Sequence, residues 1–220
     1  MKFFIIIKEK SERLPDKNFL NLTGIPLYKH LLNTLSSEDV YIDTDSDIIF
    51  NECKTLSNVT CYKRDTKHVE LEKNIEFAVS PVLLMIENFL NKYVQDENEV
   101  IITPHVTSPY IRLETMLDAA KMLSEYNTVC ACTEHKEFTY FKGEPVNFNP
   151  NVVSKTQDLE PVVMGNGAFF IFTKKEFIKN KNRTSKNNYF YPIKFPESIE
   201  IDTAEDFRMA KMYEFIYELS

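Results

Sequence analysis

The sequence predicts an α/β fold on a mostly parallel sheet, with one arm projecting from it. Up to Thr133, short apolar β-branched runs alternate with segments of helical period. That is the rhythm of β-α-β units, whose helices cover both faces of a sheet. Beyond Thr133 the rhythm breaks into a polar stretch, 134–163, with prolines at 145, 150 and 161, and then resumes. No repeat, low-complexity run or Pro/Gly/Ser linker divides the chain. Residues 1–220 therefore read as a single domain carrying an arm at 134–163.

Phe3–Ile7 is a five-residue apolar run and reads as a buried strand, followed by a polar loop to Asn18. Pro26–Leu35 places Leu27, Leu31, Leu32 and Leu35 at helical spacing behind a proline, a helix-start signal. Val40–Asp43 is the second strand, Asp47–Leu56 a helix and Val59–Tyr62 the third strand. Ile75–Leu90 is a long apolar-faced helix and Val100–Thr103 the fourth strand. Glu114–Leu123 is helical, and Thr128–Thr133 is a β-branched, cysteine-rich strand. After the arm come strands at Ala168–Phe172, Tyr189–Ile193 and Ile199–Ile201, and a closing helix at Thr203–Leu219. Ligands in such sheets bind beyond the carboxyl ends of the strands. The loops to inspect are thus 8–18, 43–47, 63–74 and 104–112.

The 220 residues hold 26 cationic and 33 acidic side chains, a net charge of −7. A negative protein repels phosphates, so nucleic acid is not an expected partner, and an anionic ligand needs a local cluster of cations. Cys53, Cys61, Cys130 and Cys132 lack zinc spacing and lie in apolar surroundings, which suits small buried side chains in a reducing compartment. Phe3–Ile7 is too short for a signal peptide or a membrane span. The expectation is a cytoplasmic protein with no membrane contact.

The loop after the first strand carries Lys8, Lys10, Arg13 and Lys17. A triphosphate is held by such cations together with a hydroxyl and backbone amides, which Ser11 and Asn18 offer. Glu9, Glu12 and Asp16 offset the charge, so composition alone also fits a solvated turn. Near the other end, Glu200 and Asp202 lie two apart on a predicted strand and so share a face. Paired carboxylates suit Mg²⁺, which takes oxygen ligands and keeps several waters. Asp206 follows Thr203 by three residues, a helix-capping spacing, and is read as a cap. His105 fits a satisfied loop histidine and a ligand contact equally. Arg112 is open in the same way. His30, His68 and His135 have no constellation around them, and the aromatic residues within 138–148 read as arm packing.

Taken in order, these segments resemble the sugar-acid cytidylyltransferases. Ile5 to Asn18 reads I-I-I-K-E-K-S-E-R-L-P-D-K-N and is similar to that family's loop I-I-P-A-R-x-G-S-K-x-[IL]-P-x-K-N. Ser11, Leu14, Pro15, Lys17 and Asn18 match, Lys8 stands for the family arginine, and Lys10 stands where the family has glycine. Arg13 fits the S-R-L-P-x-K form of the octulosonate members. Tyr41–Ile48 resembles the S-T-D strand, and Arg64 follows the third strand where the family has Arg-Pro. His105–Tyr110 resembles the Q-P-T-S-P loop, Lys155–Pro161 the R-x-Q-D-x-x-P segment, and Asn166–Ile171 the N-G-A-x-[YF]-I strand. Arg183–Tyr191 and Ser198–Phe207 resemble N-R-x-x-x-N-P-Y-F-Y and D-I-D-T-x-x-D-F.

The resemblance implies a three-layer nucleotidyltransferase fold of the Rossmann-like, GT-A-like kind. It implies transfer of CMP from CTP to the anomeric hydroxyl of a 3-deoxy-2-ulosonic, sialic-type acid, with release of pyrophosphate. Lys8, Arg13 and Lys17 would be catalytic, and Ser11, Asn18, Arg64, Thr107 and Ser108 would join them on the nucleotide. His105, Lys155, Gln157, Asn166, Phe170 and Arg183 would face the sugar acid. Asp202 and Glu200 would hold Mg²⁺, and the arm would serve a homodimer. Two other readings stay open. Asp43-Thr-Asp45 is a D-x-D of the kind metal-dependent glycosyltransferases use on nucleotide-sugars. The lost loop glycine, Lys8 for arginine and Glu200 for aspartate would suit a non-catalytic nucleotide-binding relative.

Overall fold

The computed structural model describes residues 1–72 and 80–218. The strands are β1 (Lys2–Ile7), β2 (Asn21–Leu22), β3 (Ile25–Pro26), β4 (Val40–Thr44), β5 (Val59–Lys63), β6 (Val100–Pro104), β7 (Thr128–His135), β8 (Tyr140–Phe141), β9 (Glu144–Pro145), β10 (Val162–Thr173) and β11 (Asn188–Pro192). The helices are α1 (Leu27–Thr34), α2 (Asp47–Cys53), α3 (Thr66–Glu72), α4 (Pro81–Tyr93), α5 (Leu113–Ala120), α6 (Lys174–Asn180) and α7 (Ala204–Glu218). Seven strands form one sheet in the order β11-β7-β10-β6-β1-β4-β5. Every neighbouring pair is parallel except those made by β10, which runs antiparallel to β6 and β7. The α/β architecture on a mostly parallel sheet is therefore the one the sequence predicts.

Alternation along the central strand explains why it is apolar throughout. Phe3, Ile5 and Ile7 enter one core with Leu31, Ile42, Ile49 and Ile102. Phe4 enters the opposite core with Ile86, Phe89 and Ile101. Successive side chains of a strand point to opposite faces, so a strand covered on both sides reads as a continuous hydrophobic run. Phe4 and Phe89 stack at 4.3 Å with ring planes 4° apart, which fixes α4 against β1. α4 thereby brings Val82 and Ile86 to the carboxyl edge of the sheet, where the cleft lies.

The structure departs from the sequence reading at five places. A helix, α3, occupies part of the 63–74 segment read as a loop. α6 follows β10 directly; Thr173 Oγ1 accepts from the Glu176 amide at 3.3 Å, and Thr173-x-x-Glu176 was a visible capping spacing. β10 is twelve residues long and starts at Val162, well before Ala168. Its register on β7 shifts between Gly165 and Phe170, so the strand bends there. Residues 199–201 are not a strand: Ile201 donates one backbone hydrogen bond, to Thr107 O at 2.8 Å, and the segment joins no ladder. The predicted helix Ile75–Leu90 is seen from Pro81 and runs on to Tyr93; residues 75–79 of that prediction lie outside the described residues.

Between β7 and β10 the chain leaves the sheet, as the break in rhythm at 134–163 implied. Here β8 and β9 form a two-stranded ladder. Phe138, Tyr140 and Phe148 pack edge to face, at 4.9 and 5.1 Å between ring centroids. Most of their neighbours face solvent: Phe141 is 67% exposed and Val153 fully so.

Candidate active site

A cleft of about 420 Å³ opens at the carboxyl ends of β1 and β6. Its floor is apolar, from Phe4 and Ile6 of β1 and Val82 and Ile86 of α4. The loop after β1 lines the cleft with Lys8, Ser11, Arg13, Lys17 and Asn18, and Glu200 and Asp202 line it too, Asp202 in contact with that loop. His105, Thr107 and Arg183 close the remaining side.

The loop is anchored at both ends. At its start the Glu9 amide donates to Asp45 Oδ1 at 2.7 Å, tying it to the end of β4. At its end Asn18, 5% exposed, donates from Nδ2 to Lys8 O at 2.7 Å. Asn18 Oδ1 makes no hydrogen bond among the described residues, so an acceptor stands ready for a ligand donor.

Asp202 is the electrostatic hub. Its Oδ1 lies 2.8 Å from Lys17 Nζ and its Oδ2 2.8 Å from Arg13 Nη2. Asp206 holds the backbone there: its Oδ2 accepts from the Asp202 amide at 3.0 Å, the Thr203 amide at 2.8 Å and the Thr203 hydroxyl at 2.9 Å. The reading of Asp206 as a cap thus describes its contacts. Burial opposes its charge, but these donors outweigh that and hold the carboxyl below its usual value. Glu200 behaves oppositely. Burial, and then the Asp202 charge, push its pKa up to about 7. The carboxylate lies against Gly167, whose φ is +81° and whose missing Cβ would sit 3.2 Å from Glu200 Oε1. Only glycine adopts that backbone freely, and only glycine leaves this room.

These two carboxylates can serve a divalent cation. No cluster of three or more His, Cys, Asp or Glu side chains suited to a metal occurs among the described residues. Mg²⁺ commonly takes one or two carboxylates and completes its shell with phosphate oxygens and water. The donor set fits that ion, and a cation there would offset the burial and the Asp202 charge that raise the Glu200 pKa.

Arg183, His105 and Phe170 form a separate group. The Arg183 guanidinium sits over the Phe170 ring, 3.9 Å from Cζ to the ring centroid. Arg183 Nη1 lies 3.3 Å from His105 Nε2. Burial and the Arg183 charge push the His105 pKa down to about 4, so the imidazole is neutral at ordinary pH. Burial likewise pulls Arg183 down to about 10.

The structure thus gathers Lys8, Ser11, Arg13, Lys17, Asn18, His105, Thr107, Arg183, Glu200 and Asp202 around one cleft, with Phe170 against Arg183. Glu200 and Asp202 share it by way of an extended loop, where the sequence reading invoked a strand. Other expected site residues are placed elsewhere. Arg64 is fully buried and donates from Nε to Asp43 Oδ1 at 2.6 Å and from Nη2 to Ile7 O at 3.4 Å. It braces the ends of β1 and β4 beneath the loop. The Ser108 side chain is buried and Asn166 spends its amide on the backbone: Nδ2 donates to Ser198 O at 2.9 Å, and Oδ1 accepts from the Ala168 amide at 3.2 Å. Asn166 thereby straps the segment carrying Glu200 to β10. Lys155 and Gln157 are exposed on the arm and do not line the cleft. The D-x-D carboxylates are both engaged, Asp43 by Arg64 and Asp45 by the Glu9 amide. Neither lines the cleft, which argues against the glycosyltransferase reading. The apolar floor was not nominated from sequence; the alternation of β1, with Phe4 and Ile6 on one face, was its signal.

Asp43→Ala is expected to destabilise the fold by about 3–5 kcal/mol, because it strands the buried Arg64 charge. A thermal melt checks this, and an unchanged Tm would mean that the pair is not what braces the two strand ends.

Residues 5–219 match the family described as Cytidylyltransferase. An N-acylneuraminate cytidylyltransferase of Streptococcus agalactiae serotype V is 26% identical over 94% of this chain and 52% of its own length. N-acylneuraminate cytidylyltransferase A of Danio rerio is 24% identical over 94% of this chain and 49% of its own. The chain thus spans about half the length of these curated relatives. Among solved structures, a CMP:2-keto-3-deoxy-manno-octonic acid synthetase complexed with CTP superposes with a TM-score of 0.59 at 12% identity, over 98% of both chains. A 4-diphosphocytidyl-2C-methyl-D-erythritol synthase of Anaerococcus prevotii gives 0.63 at 14% identity, over 97% of this chain and 96% of that one. At such identities these likenesses speak to fold, and they support the three-layer nucleotidyltransferase architecture. By its sequence match over almost all of its length, the chain belongs to the cytidylyltransferase family.

Proposed function

We propose that this protein transfers CMP from CTP to the anomeric hydroxyl of a 3-deoxy-2-ulosonic, sialic-type acid and releases pyrophosphate. One observation carries the reading: in a chain of this family, a cationic loop and a carboxylate pair meet in one cleft. Lys8, Arg13 and Lys17 bind the triphosphate and offset the charge that builds on the leaving pyrophosphate. Ser11 and the Asn18 amide add neutral donors to the same oxygens. In phosphoryl and nucleotidyl transfer little covalent work falls to the protein, so positioning and charge neutralisation carry the rate. Arg183 and His105 face the acceptor, with Arg183 as the counter-charge for its carboxylate. Asp202 and Glu200 would hold Mg²⁺, which supplies charge neutralisation on the phosphate oxygens. Four free cysteines support the expected cytoplasmic setting. No helix among the described residues is long and apolar enough to cross a membrane.

Lys155 and Gln157 serve the acceptor from the arm of a second copy in a homodimer. The exposed Phe141 and Val153 on the same arm support packing on a partner. Mixing Gln157→Ala with Lys17→Ala chains should then restore activity that neither variant shows alone; absence of complementation would remove the shared site. The reaction itself is tested by incubating the protein with CTP, Mg²⁺ and a panel of ulosonic acids. Pyrophosphate release that depends on one acid supports the reading. Silence across the panel, with CTP still raising the Tm, would favour the non-catalytic nucleotide-binding alternative.

A further inference from the structure

The chain has five arginines, and four of them have a carboxylate partner: Arg13 with Asp202, Arg64 with Asp43, Arg112 with Glu197 and Arg208 with Glu205. Arg183 has no carboxylate partner among the described residues, although it is half-buried and lines the cleft. A partly desolvated guanidinium without a counter-ion is costly, and one facing a ligand cleft marks where an anion binds. The groups that meet it, Phe170 and His105, are both uncharged: the Phe170 ring lies 3.9 Å from Cζ, and His105 Nε2 lies 3.3 Å from one end nitrogen.

The chemistry of that contact fixes the tautomer. Arginine only donates, so His105 Nε2 must accept, and the imidazole proton sits on Nδ1. The His105 amide donates to Ala168 O at 2.9 Å, which pins the ring's backbone to β10. The His105 and Phe170 rings lie 5.9 Å apart, so one acceptor and one aromatic face bracket the same guanidinium. Among the described residues the guanidinium makes no other hydrogen bond, which leaves the rest of the fork to a ligand in the cleft.

We propose that His105 is a positioning residue for Arg183, holding the guanidinium on Phe170 so that its free edge meets the carboxylate of the sugar acid. His105 therefore sets affinity for the acceptor and not for the nucleotide. This rests on the functional reading above, in which Arg183 faces the acceptor.

The test is steady-state kinetics on folded variants of matched Tm, with the acid that the wild type uses. His105→Leu removes the acceptor atom and should raise KM for the acid about ten-fold, the value of a hydrogen bond to a charged group, while kcat and KM for CTP stay within about two-fold. His105→Gln restores an acceptor and should bring KM for the acid back to within about three-fold of wild type. Phe170→Leu, which removes the aromatic platform, should move the same constant in the same direction. In an Arg183→Leu background, His105→Leu should add no further loss, because its effect runs through the arginine. A parallel rise in KM for CTP, a glutamine variant no better than leucine, or additive losses in the double variant would each overturn the proposal. A wild type that turns over no acid would instead remove the functional reading on which the proposal rests.

Discussion

Lys17→Ala should lower kcat/KM for CTP by about a hundred- to a thousand-fold, the usual cost of removing one charge-stabilising donor from a transition state. The side chain is only 12% exposed, and its ammonium ends 2.8 Å from Asp202. It is thus held at the boundary between the cationic wall and the carboxylate pair. Two routes to the loss are separable. If Lys17 meets the phosphates, KM for CTP rises and added Mg²⁺ does not restore turnover. If it only holds Asp202 in place, the Mg²⁺ requirement rises while CTP binding persists. The first pattern is the expected one. Turnover near that of wild type would take Lys17 out of the mechanism.

Asp202→Asn should abolish Mg²⁺-dependent turnover and leave the Tm within about 4 °C of wild type, since a partly exposed ion pair contributes roughly 1 kcal/mol or less and asparagine keeps an acceptor oxygen for one of the two cations. Asp202 is 27% exposed and replaceable in shape by asparagine, so the fold has little to lose. The same substitution should tighten CTP binding in the absence of metal. In the unliganded cleft Asp202 bridges Arg13 and Lys17, the cations that a triphosphate needs. Neutralising it frees both and removes a like charge from beside the phosphates. Calorimetry with CTP in a chelator checks this. Weaker metal-free binding would mean that Asp202 is not what competes for those cations. A large loss of Tm would assign Asp202 to structure.

What could be read from the sequence was whatever leaves a local pattern. The double-sided burial of β1, the cationic loop behind it, and the Thr203–Asp206 cap each depend on spacing within a few residues. What could not be read depends on where a side chain lands across the fold. Arg64 resembles a nucleotide contact in its motif. Its partner, Asp43, is 21 residues away, and the pairing exists because β4 and β5 lie parallel with Thr44 beside Lys63. Asn166 sits in a closely matching motif yet uses both ends of its amide on the backbone, including Ser198 O, 32 residues on. Its contribution to the site is to strap Glu200 in place. Glu200 and Asp202 both line the cleft, but an extended loop stitched to Thr107 O and to Asn166 brings them there, where a strand was expected. The short helix α6 was legible in its Thr173–Glu176 spacing, but seven residues carry too little period to stand out beside a long apolar strand.

The most direct test of the central claim follows the α-phosphorus. The protein is incubated with Mg²⁺, CTP labelled at the α-phosphate, and each ulosonic acid in turn, and the products are separated. CMP transfer puts label in a conjugate of one acid, formed in equal amount with pyrophosphate and dependent on that acid. Label remaining in CTP, or appearing only in free CMP whether or not an acid is present, would contradict it.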